Sequence, residues 1–183
     1  LVTYVSFGGA HADILTDGFQ GAVMLVLAIA VGVLFLLGYA VLGGLPSLLA
    51  TIRDLDPKTV QTFNETSPIV GSWWDVVAIL ISHLPLGLFP HIGNKLWALE
   101  DKASQKRFIL LSFTFGMLLP VIALGGIHCR AVVGDEILEN ANHAIPVLFA
   151  RVFPPWLAAL AGAGILAAVM STADGLVISS SQV

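Results

Sequence analysis

Long uninterrupted runs of apolar residues dominate the chain. Residues 21–42 contain no charged and no strongly polar side chain, and as a helix they would be about 33 Å long, enough to cross a bilayer. A second run, residues 108–127, is interrupted only by Pro120, which a membrane helix tolerates when neighbouring groups satisfy the freed carbonyl. A third run, residues 156–173, is rich in Ala and Gly at spacings that allow close helix packing. The pattern predicts three membrane-spanning helices, the third of them buried among other helices.

A fourth apolar stretch, residues 75–97, predicts a discontinuous helix. Four helix-breaking residues interrupt it: Pro85, Gly87, Pro90 and Gly93. Because lipid offers no partners for free N–H and C=O groups, a break at this depth requires protein or a wet cavity around it. A solute pathway is a natural reason for such a break. His83 and His91 flank the break, where they either line a cavity or act as structural histidines that bond to freed carbonyls.

The loops predict an orientation in the membrane. Residues 94–107 contain four basic residues: Lys95, Lys102, Lys106 and Arg107. The two longer loops, residues 43–74 and 130–155, contain two basic residues each. By the positive-inside bias, the short basic loop is cytoplasmic and the two long loops face outward. Within the first long loop, residues 46–54 form either a short surface helix or a plain loop.

Composition and charge narrow the classes of function. Apolar residues make up 57% of the 183 positions and charged residues 11%, against about 25% charged in an ordinary soluble domain. The net charge is −4, and no basic arm is present to track phosphates, which argues against nucleic-acid binding. Cys129 is the single cysteine and the histidines lack zinc-site spacing, so we expect no structural metal. No nucleophile elbow or phosphate loop is present, so we expect no enzyme. Since the chain starts at Leu1 and stops inside an apolar stretch, we expect an internal piece of a longer protein.

Polar residues at the two ends of the apolar runs are the candidates for chemistry. The hydroxyls of Ser171 and Thr172, with a helical carbonyl such as that of Ala168, can supply the oxygens that a hard monovalent cation prefers. The residues alone favour a structural interpretation, in which these hydroxyls bond to carbonyls one turn earlier. Asp174 either lies on a cation pathway or reaches cytoplasmic water. Asp17 either serves an ion or complements the helix dipole of the first span.

Four stretches together resemble the sodium:solute symporter family, in the branch typified by proline, pantothenate and monocarboxylate symporters. Residues 4–20 contain a Gly8-Gly9 turn followed by a Thr-Asp-x-x-Gln helix start. Pro90-His91-Ile92 with Lys95 resembles the end of the family's discontinuous helix. Residues 102–120 are similar to its next cytoplasmic loop and helix, and GILAAVMSTAD at residues 164–174 is nearly its most characteristic string.

The resemblance implies an all-α, polytopic membrane protein, part of a leucine-transporter-like inverted-repeat helical bundle. Residues 1–183 would be a single, incomplete transmembrane transporter domain. Residues 1–42 would end the first repeat, residues 43–74 would form the outward loop between repeats, and residues 75–183 would begin the second repeat. The chain would then carry the end of the fourth core helix, the fifth, and the sixth to eighth.

The resemblance also implies sodium-coupled secondary active symport of a small organic solute across the plasma membrane, which is the inner membrane in a bacterium. The expected partners are the solute, a sodium ion and the lipid bilayer. The Pro90-His91-Ile92 form favours a carboxylate-bearing solute (a monocarboxylate, an amino acid or pantothenate). No charge stands near Gly116, where some relatives contact sugar with a cationic residue, which argues against a sugar. The alternative is a membrane sensor module of a transporter-like signalling protein.

The resemblance implies site residues at those positions of this chain that match the family's motifs. The coupling sodium would be bound by Ala168, Ser171 and Thr172, with further ligands on the family's first core helix. Asp17 and Asp174 would lie on the cation pathway. The substrate and gate region would include His83, Pro90 and His91, and His91 stands where sugar symporters have an aromatic gate residue.

Overall fold

The computed structural model describes residues 2–65, 67, 69–85, 90–97 and 99–181, without the side chains of residues 2–11, 90, 91, 94, 179 and 181. Every regular element in these ranges is helical. The α-helices are α1 (Val2–Leu37), α2 (Gly44–Leu55), α3 (Trp73–His83), α4 (Pro90–Trp97), α5 (Lys102–Leu118), α6 (Leu124–Val133), α7 (Ala144–Val152) and α8 (Pro155–Ser181). Segments of 3₁₀ helix are Pro57–Val60, Leu119–Ala123 and Gly134–His143. The all-α prediction is therefore confirmed.

Three helical stretches of the described chain are long and apolar enough to cross a membrane: Ala12–Leu37, Lys102–Val152 and Pro155–Ile178. They correspond to the three spans that the apolar runs predict. In the fourth stretch α3 ends at His83 and α4 begins at Pro90, and the predicted break between them stays a prediction. Residues 86–89 lie outside the described ranges.

Helix α1 differs from the prediction at both ends. The backbone is helical through Gly8 and Gly9, so the expected turn there is wrong; a glycine inside a long helix costs only about 1 kcal/mol relative to alanine. The helix stops at Leu37, before the apolar run does, because Gly38 adopts the left-handed conformation with φ 57°. The N–H of Tyr39 then donates to the carbonyl of Leu34 at 3.0 Å and closes the helix end.

The turn after α1 is held in place by α6. His128 is completely buried, and its Nε2 atom lies 2.7 Å from the carbonyl oxygen of Tyr39. Because that carbonyl can only accept, Nε2 must carry the proton and donate it. The imidazole also packs edge-on against the ring of Phe35. This end of α1 is therefore attached to α6 by a buried hydrogen bond and a ring contact.

Residues 130–155 were predicted to form a loop that faces outward. The prediction of a loop is wrong. The segment is helical through the end of α6, the 3₁₀ segment Gly134–His143 and α7. Its apolar residues Ile137, Ala144 and Leu148 are buried against one another and against Cys129. Their burial across two successive helical elements stabilises helix in a segment that the sequence predicted as a loop. Asn140 departs from helical backbone angles inside the 3₁₀ segment, and Gly134 at its start has a φ of 82°.

Helices α1 and α8 pack antiparallel. Val31 packs with Phe149 and Ala161 in one buried cluster. Nearer the start of α1, Gly164 lies so close that an added Cβ would stand 2.7 Å from Leu27 Cδ1. Small residues on α8 thus allow close approach on one face only. The opposite face remains exposed, Leu166 at 67% and Val169 at 65%, so within the described chain this span is buried on the side that faces α1, α4 and α7.

Of the two alternatives for residues 46–54, a short surface helix or a plain loop, the structure shows the helix. Helix α2 buries Leu48 and Ile52, which lie one turn apart. Asp56 at its end accepts hydrogen bonds from the backbone N–H of Lys58 and the hydroxyl of Thr59, each at 3.0 Å. The Arg130 guanidinium of α6 lies 3.4 Å from the same carboxylate. These bonds, that from Lys58 foremost, hold the pKa of Asp56 below its ordinary value of 3.8.

A carboxyl whose pKa is lowered by folding stabilises the fold above its unfolded pKa and loses this contribution as the pH falls through the folded pKa. We therefore expect Asp56→Asn to lower the melting temperature of the detergent-solubilised protein at pH 7. The difference from the parent should shrink as the pH falls below about 3.8. Thermal unfolding followed by tryptophan fluorescence between pH 2.5 and 7 measures this. Asp54→Asn, at an exposed carboxylate of α2, is the matched control, and an equal effect of both substitutions contradicts the prediction.

Candidate functional site

Three helices meet at a carboxylate near the start of α1. The Ser171 hydroxyl of α8 donates a hydrogen bond to Oδ1 of Asp17. The Lys95 ammonium of α4 donates to Oδ2 of the same carboxylate. Antiparallel packing of α1 and α8 explains the first contact, since it places the end of α8 beside the beginning of α1. Asp17 thus links α1, α4 and α8 within an otherwise apolar bundle.

A second carboxylate lies one turn earlier on α1. Asp13 is only 4% exposed, and its Oδ2 atom lies 3.7 Å from Lys95 Nζ. Its other oxygen, Oδ1, is buried and has no hydrogen-bond partner among the described residues. Asp174 on α8 is also buried and lies within Coulombic range of Asp13. Two carboxylates therefore lie within 4 Å of one ammonium, and a third buried carboxylate lies within Coulombic range of Asp13.

The polar side chains of α1 form a stripe along one helical face. Asp13, Asp17 and Gln20 follow one another at spacings of four and three residues, which places them on the same side of a helix. The Gln20 Oε1 atom is buried and, within the described ranges, lacks a hydrogen-bond partner. We call these three residues together with Lys95 and Ser171 the inner polar cluster. Its unsatisfied buried atoms on α1 are oxygens that can only accept.

The predicted sodium ligands lie at the edge of the inner polar cluster. Thr172 is exposed, and its hydroxyl donates to the carbonyl of Ala168 at 3.4 Å. This is the bond within one helix that the residues alone favoured. Ser171 instead reaches across to α1, so the same alternative does not apply to it. Sodium binding by these three residues stays a prediction.

A cavity of about 320 Å³ opens beside Asp17, between α1 and the end of α5. Its walls include Gly18 and Gly21 of α1 and Phe115 and Leu119 from the other side. A volume of about 30 Å³ per water molecule would let it hold several waters. The carboxylate of Asp17 therefore borders both the inner polar cluster and a cavity whose other walls are glycine and apolar residues.

The predicted gate residues are only partly visible. His83, at the exposed end of α3, places Nδ1 2.7 Å from the carbonyl of Ile79 in its own helix. This contact agrees with the second of the two roles considered for His83, a structural histidine that bonds to a carbonyl, rather than one that lines a cavity. The side chains of Pro90 and His91 lie outside the described residues. The gate role of these three residues stays a prediction.

Sequence reasoning identified Asp17, Ser171 and Asp174 but missed Asp13 and Gln20, and it treated Lys95 only as a loop charge and a family marker. A signal was present in the sequence, because the two missed residues share a helical face with Asp17. Lys95 carried no comparable signal. Its contact with Asp17 joins positions 78 residues apart, and only the packing of α4 on α8 brings them together.

Comparison with known proteins agrees with the family resemblance seen in the sequence. The profile of the sodium:solute symporter family matches residues 1–183. A sodium/pantothenate symporter of Haemophilus influenzae is 28% identical over 98% of this chain and 36% of its own length. A sodium/pantothenate symporter of Escherichia coli K12 is 26% identical over 99% of this chain and 36% of its own length. The chain thus spans about a third of the length of these curated relatives. No solved structure matches it significantly.

Proposed function

The chain belongs to the sodium:solute symporter family, and from this premise we propose that it is part of a sodium-coupled secondary active transporter in the plasma membrane. The three stretches able to cross a membrane support a multi-pass arrangement. The proposal extends to the whole transport protein, since the curated relatives are about three times as long as this match.

The observation that carries the proposal is the Asp17 carboxylate, which binds Lys95 and Ser171 from two other helices beside a cavity. Buried polar groups inside apolar helices are costly, and in membrane proteins they mark ion or substrate pathways. Asp17 and Asp174 are accordingly proposed as cation-pathway residues. Both lie at the end of the bundle that also holds Lys95, from the loop predicted to be cytoplasmic.

The coupling ion is proposed to be sodium, bound by the Ala168 carbonyl and the hydroxyls of Ser171 and Thr172. Sodium would be coordinated by the oxygen lone pairs of these hydroxyls, which in this structure donate to Asp17 of α1 and to the Ala168 carbonyl, so cation binding acts at a contact between α8 and α1. A cation that strengthens one arrangement of the helices raises solute affinity in that arrangement, and the effect is reciprocal. A potential of about 100 mV contributes about 2.3 kcal/mol per sodium ion to solute accumulation.

The solute is proposed to be a small carboxylate-bearing molecule: a monocarboxylate, an amino acid or pantothenate. The two relatives support this class, since both are named for pantothenate, itself a carboxylate. The region around the break in the helix, with His83, Pro90 and His91, is the proposed place of the substrate and gate.

Uptake into proteoliposomes containing the complete transport protein tests the proposal. Radiolabelled acetate, pyruvate, proline, pantothenate and glucose are offered with and without an inward sodium gradient. We expect sodium-dependent accumulation of one carboxylate-bearing solute and none of glucose. Uptake that ignores sodium would reject sodium coupling, and binding of a solute without any uptake would favour the sensor alternative.

A further inference from the structure

One side of α5 is exposed from its first residue to its last turn. It carries two lysines and then three apolar side chains, at spacings of four, three, four and four residues, which places all five on the same side of the helix. We call this set the exposed α5 face: Lys102, Lys106, Ile109, Phe113 and Met117. The lysines are exposed, and the three apolar side chains are 57%, 67% and 65% exposed. Within the described ranges, no helix covers this face.

The other side of α5 is the one that faces the protein. Phe115 follows Phe113 by two positions, about 200° around the helix, and lines the cavity beside Asp17. Helix α5 contacts α1 as well. Gly116 lies beside Phe113 and Met117, and an added Cβ there would meet nothing within 4 Å. The exposed α5 face therefore points away from α1 and from the cavity.

The length and polarity of this face match one phospholipid in a single leaflet. Residues 106–117 rise about 16 Å along the helix axis, close to half of the roughly 30 Å hydrocarbon core of a bilayer. The lysines lie at the end of the span that the positive-inside bias places in the cytoplasm. Trp97, at the end of α4 that leads into α5, is 77% exposed, as is typical of indoles at the level of the headgroups.

The charge of the two lysines favours an anionic headgroup. Neither lysine is in an ion pair within the described ranges. The adjacent acid, Asp101, accepts hydrogen bonds from the backbone N–H and the hydroxyl of Ser104, each at 2.8 Å. Ammonium groups at the membrane surface attract anionic lipids. A zwitterionic headgroup brings an ammonium of its own to the same place, so a headgroup with net negative charge binds better.

We propose that the exposed α5 face binds one anionic phospholipid of the cytoplasmic leaflet. Its phosphate lies between the ammonium groups of Lys102 and Lys106, and one acyl chain lies along Ile109, Phe113 and Met117. This site goes beyond the proposed symport, because it depends on a membrane-spanning helix and not on sodium or solute. Since the cavity beside Asp17 lies on the other side of the same helix, the bound lipid supports one wall of that cavity.

Native mass spectrometry of the complete transport protein tests the site. The protein is stripped of lipid in detergent and titrated with phosphatidylglycerol or phosphatidylcholine, and we expect it to retain phosphatidylglycerol at the lower concentration. Lys102→Gln/Lys106→Gln should raise the half-saturating phosphatidylglycerol concentration about 25-fold, about fivefold for each lysine. Retention of phosphatidylcholine should not change. Lys102→Arg/Lys106→Arg keeps the charge and should bind like the parent.

Arg53→Gln/Lys58→Gln is the matched control, because it removes the same charge at two exposed residues of the loop predicted to face outward. It should leave retention unchanged, and an equal loss in both double variants rejects the site. Glycerol 3-phosphate, which has the phosphate but no acyl chain, should not displace the lipid at millimolar concentration. Displacement would assign the lysines to a soluble anion and overturn the inference.

Unchanged phosphatidylglycerol retention in Lys102→Gln/Lys106→Gln also overturns the inference. A parent protein that retains no phosphatidylglycerol rejects it too, since another part of the complete protein then covers this face. If the double variant does not fold, Lys106→Gln alone decides, with an expected increase of about fivefold, and binding equal to that of the parent rejects the site. Uptake that ignores sodium would reject the proposed symport and leave this inference standing.

Discussion

Replacing Ser171 and Thr172 together by alanine should raise the sodium concentration for half-maximal uptake about 100-fold. Each hydroxyl is a proposed sodium ligand, and a bond to a charged partner is worth at least about 1.5 kcal/mol, so two lost bonds amount to about two powers of ten. The solute concentration for half-maximal uptake, measured at saturating sodium, should change much less. Initial uptake rates over a range of sodium concentrations in proteoliposomes give both quantities.

The single variants separate the cation role from the structural bonds. Ser171→Ala also removes the hydrogen bond to Asp17, whereas Thr172→Ala removes only a bond inside α8. A higher sodium concentration for half-maximal uptake in Thr172→Ala therefore cannot be explained by a lost contact between helices. Ser180→Ala is the matched control, because this exposed hydroxyl bonds to the carbonyl of Leu176 one turn earlier. If the double variant has the sodium dependence of the parent, the sodium site on α8 is wrong.

Replacing Gly38 by alanine should prevent stable folding of the turn between α1 and α2. The residue has a φ of 57°, which costs any other L-residue about 1 to 2 kcal/mol. In addition, a Cβ at this position would stand 2.1 Å from the carbonyl carbon of Gly44 and 2.2 Å from the nitrogen of Leu45. Backbone atoms cannot move aside as side chains do, so we expect a loss of at least about 3 kcal/mol in the free energy of unfolding.

The measurement for Gly38→Ala is the monodisperse fraction after detergent extraction, together with the melting temperature. Gly21→Ala is the matched control, because it lies inside α1, the helix that Gly38 follows, and its added Cβ meets nothing within 4 Å. That control should melt at or slightly above the temperature of the parent, since alanine favours helix over glycine. Equal melting temperatures for the two variants would show that the turn is not closed as described.

The sequence predicts helix class and membrane spans well because both depend on local composition. A run of apolar residues long enough for a bilayer, as at residues 21–42, predicts a helix without any knowledge of its neighbours. Where an element depends on contacts distant in sequence, prediction failed. In the segment after Arg130, Ile137, Ala144 and Leu148 are buried against one another and against Cys129, and these contacts stabilise the helices. The local sequence of the segment does not reveal these contacts.

The candidate site shows the same difference between features that the sequence predicts and features that depend on packing. Asp17 and Ser171 are prominent in sequence because polar residues are rare in apolar runs, and their family pattern adds to that signal. That their side chains bond to each other follows only from the antiparallel packing of α1 and α8. Lys95 could not be placed in the cluster from sequence, since a basic residue near a membrane surface is first explained by orientation.

The hydrogen bond between His128 and the Tyr39 carbonyl fixes the chain at the end of α1, so a tilt of the helix about this end would move its opposite end most. At about 1.5 Å per residue, Asp17 lies about 30 Å along the arm from Leu37. A tilt of about 5° at the pivot therefore moves the Asp17 carboxylate by about 2.6 Å on this geometry, close to the full length of a hydrogen bond. A tilt of this size about the end held by His128 is thus large enough to make or break the contacts with Ser171 and Lys95.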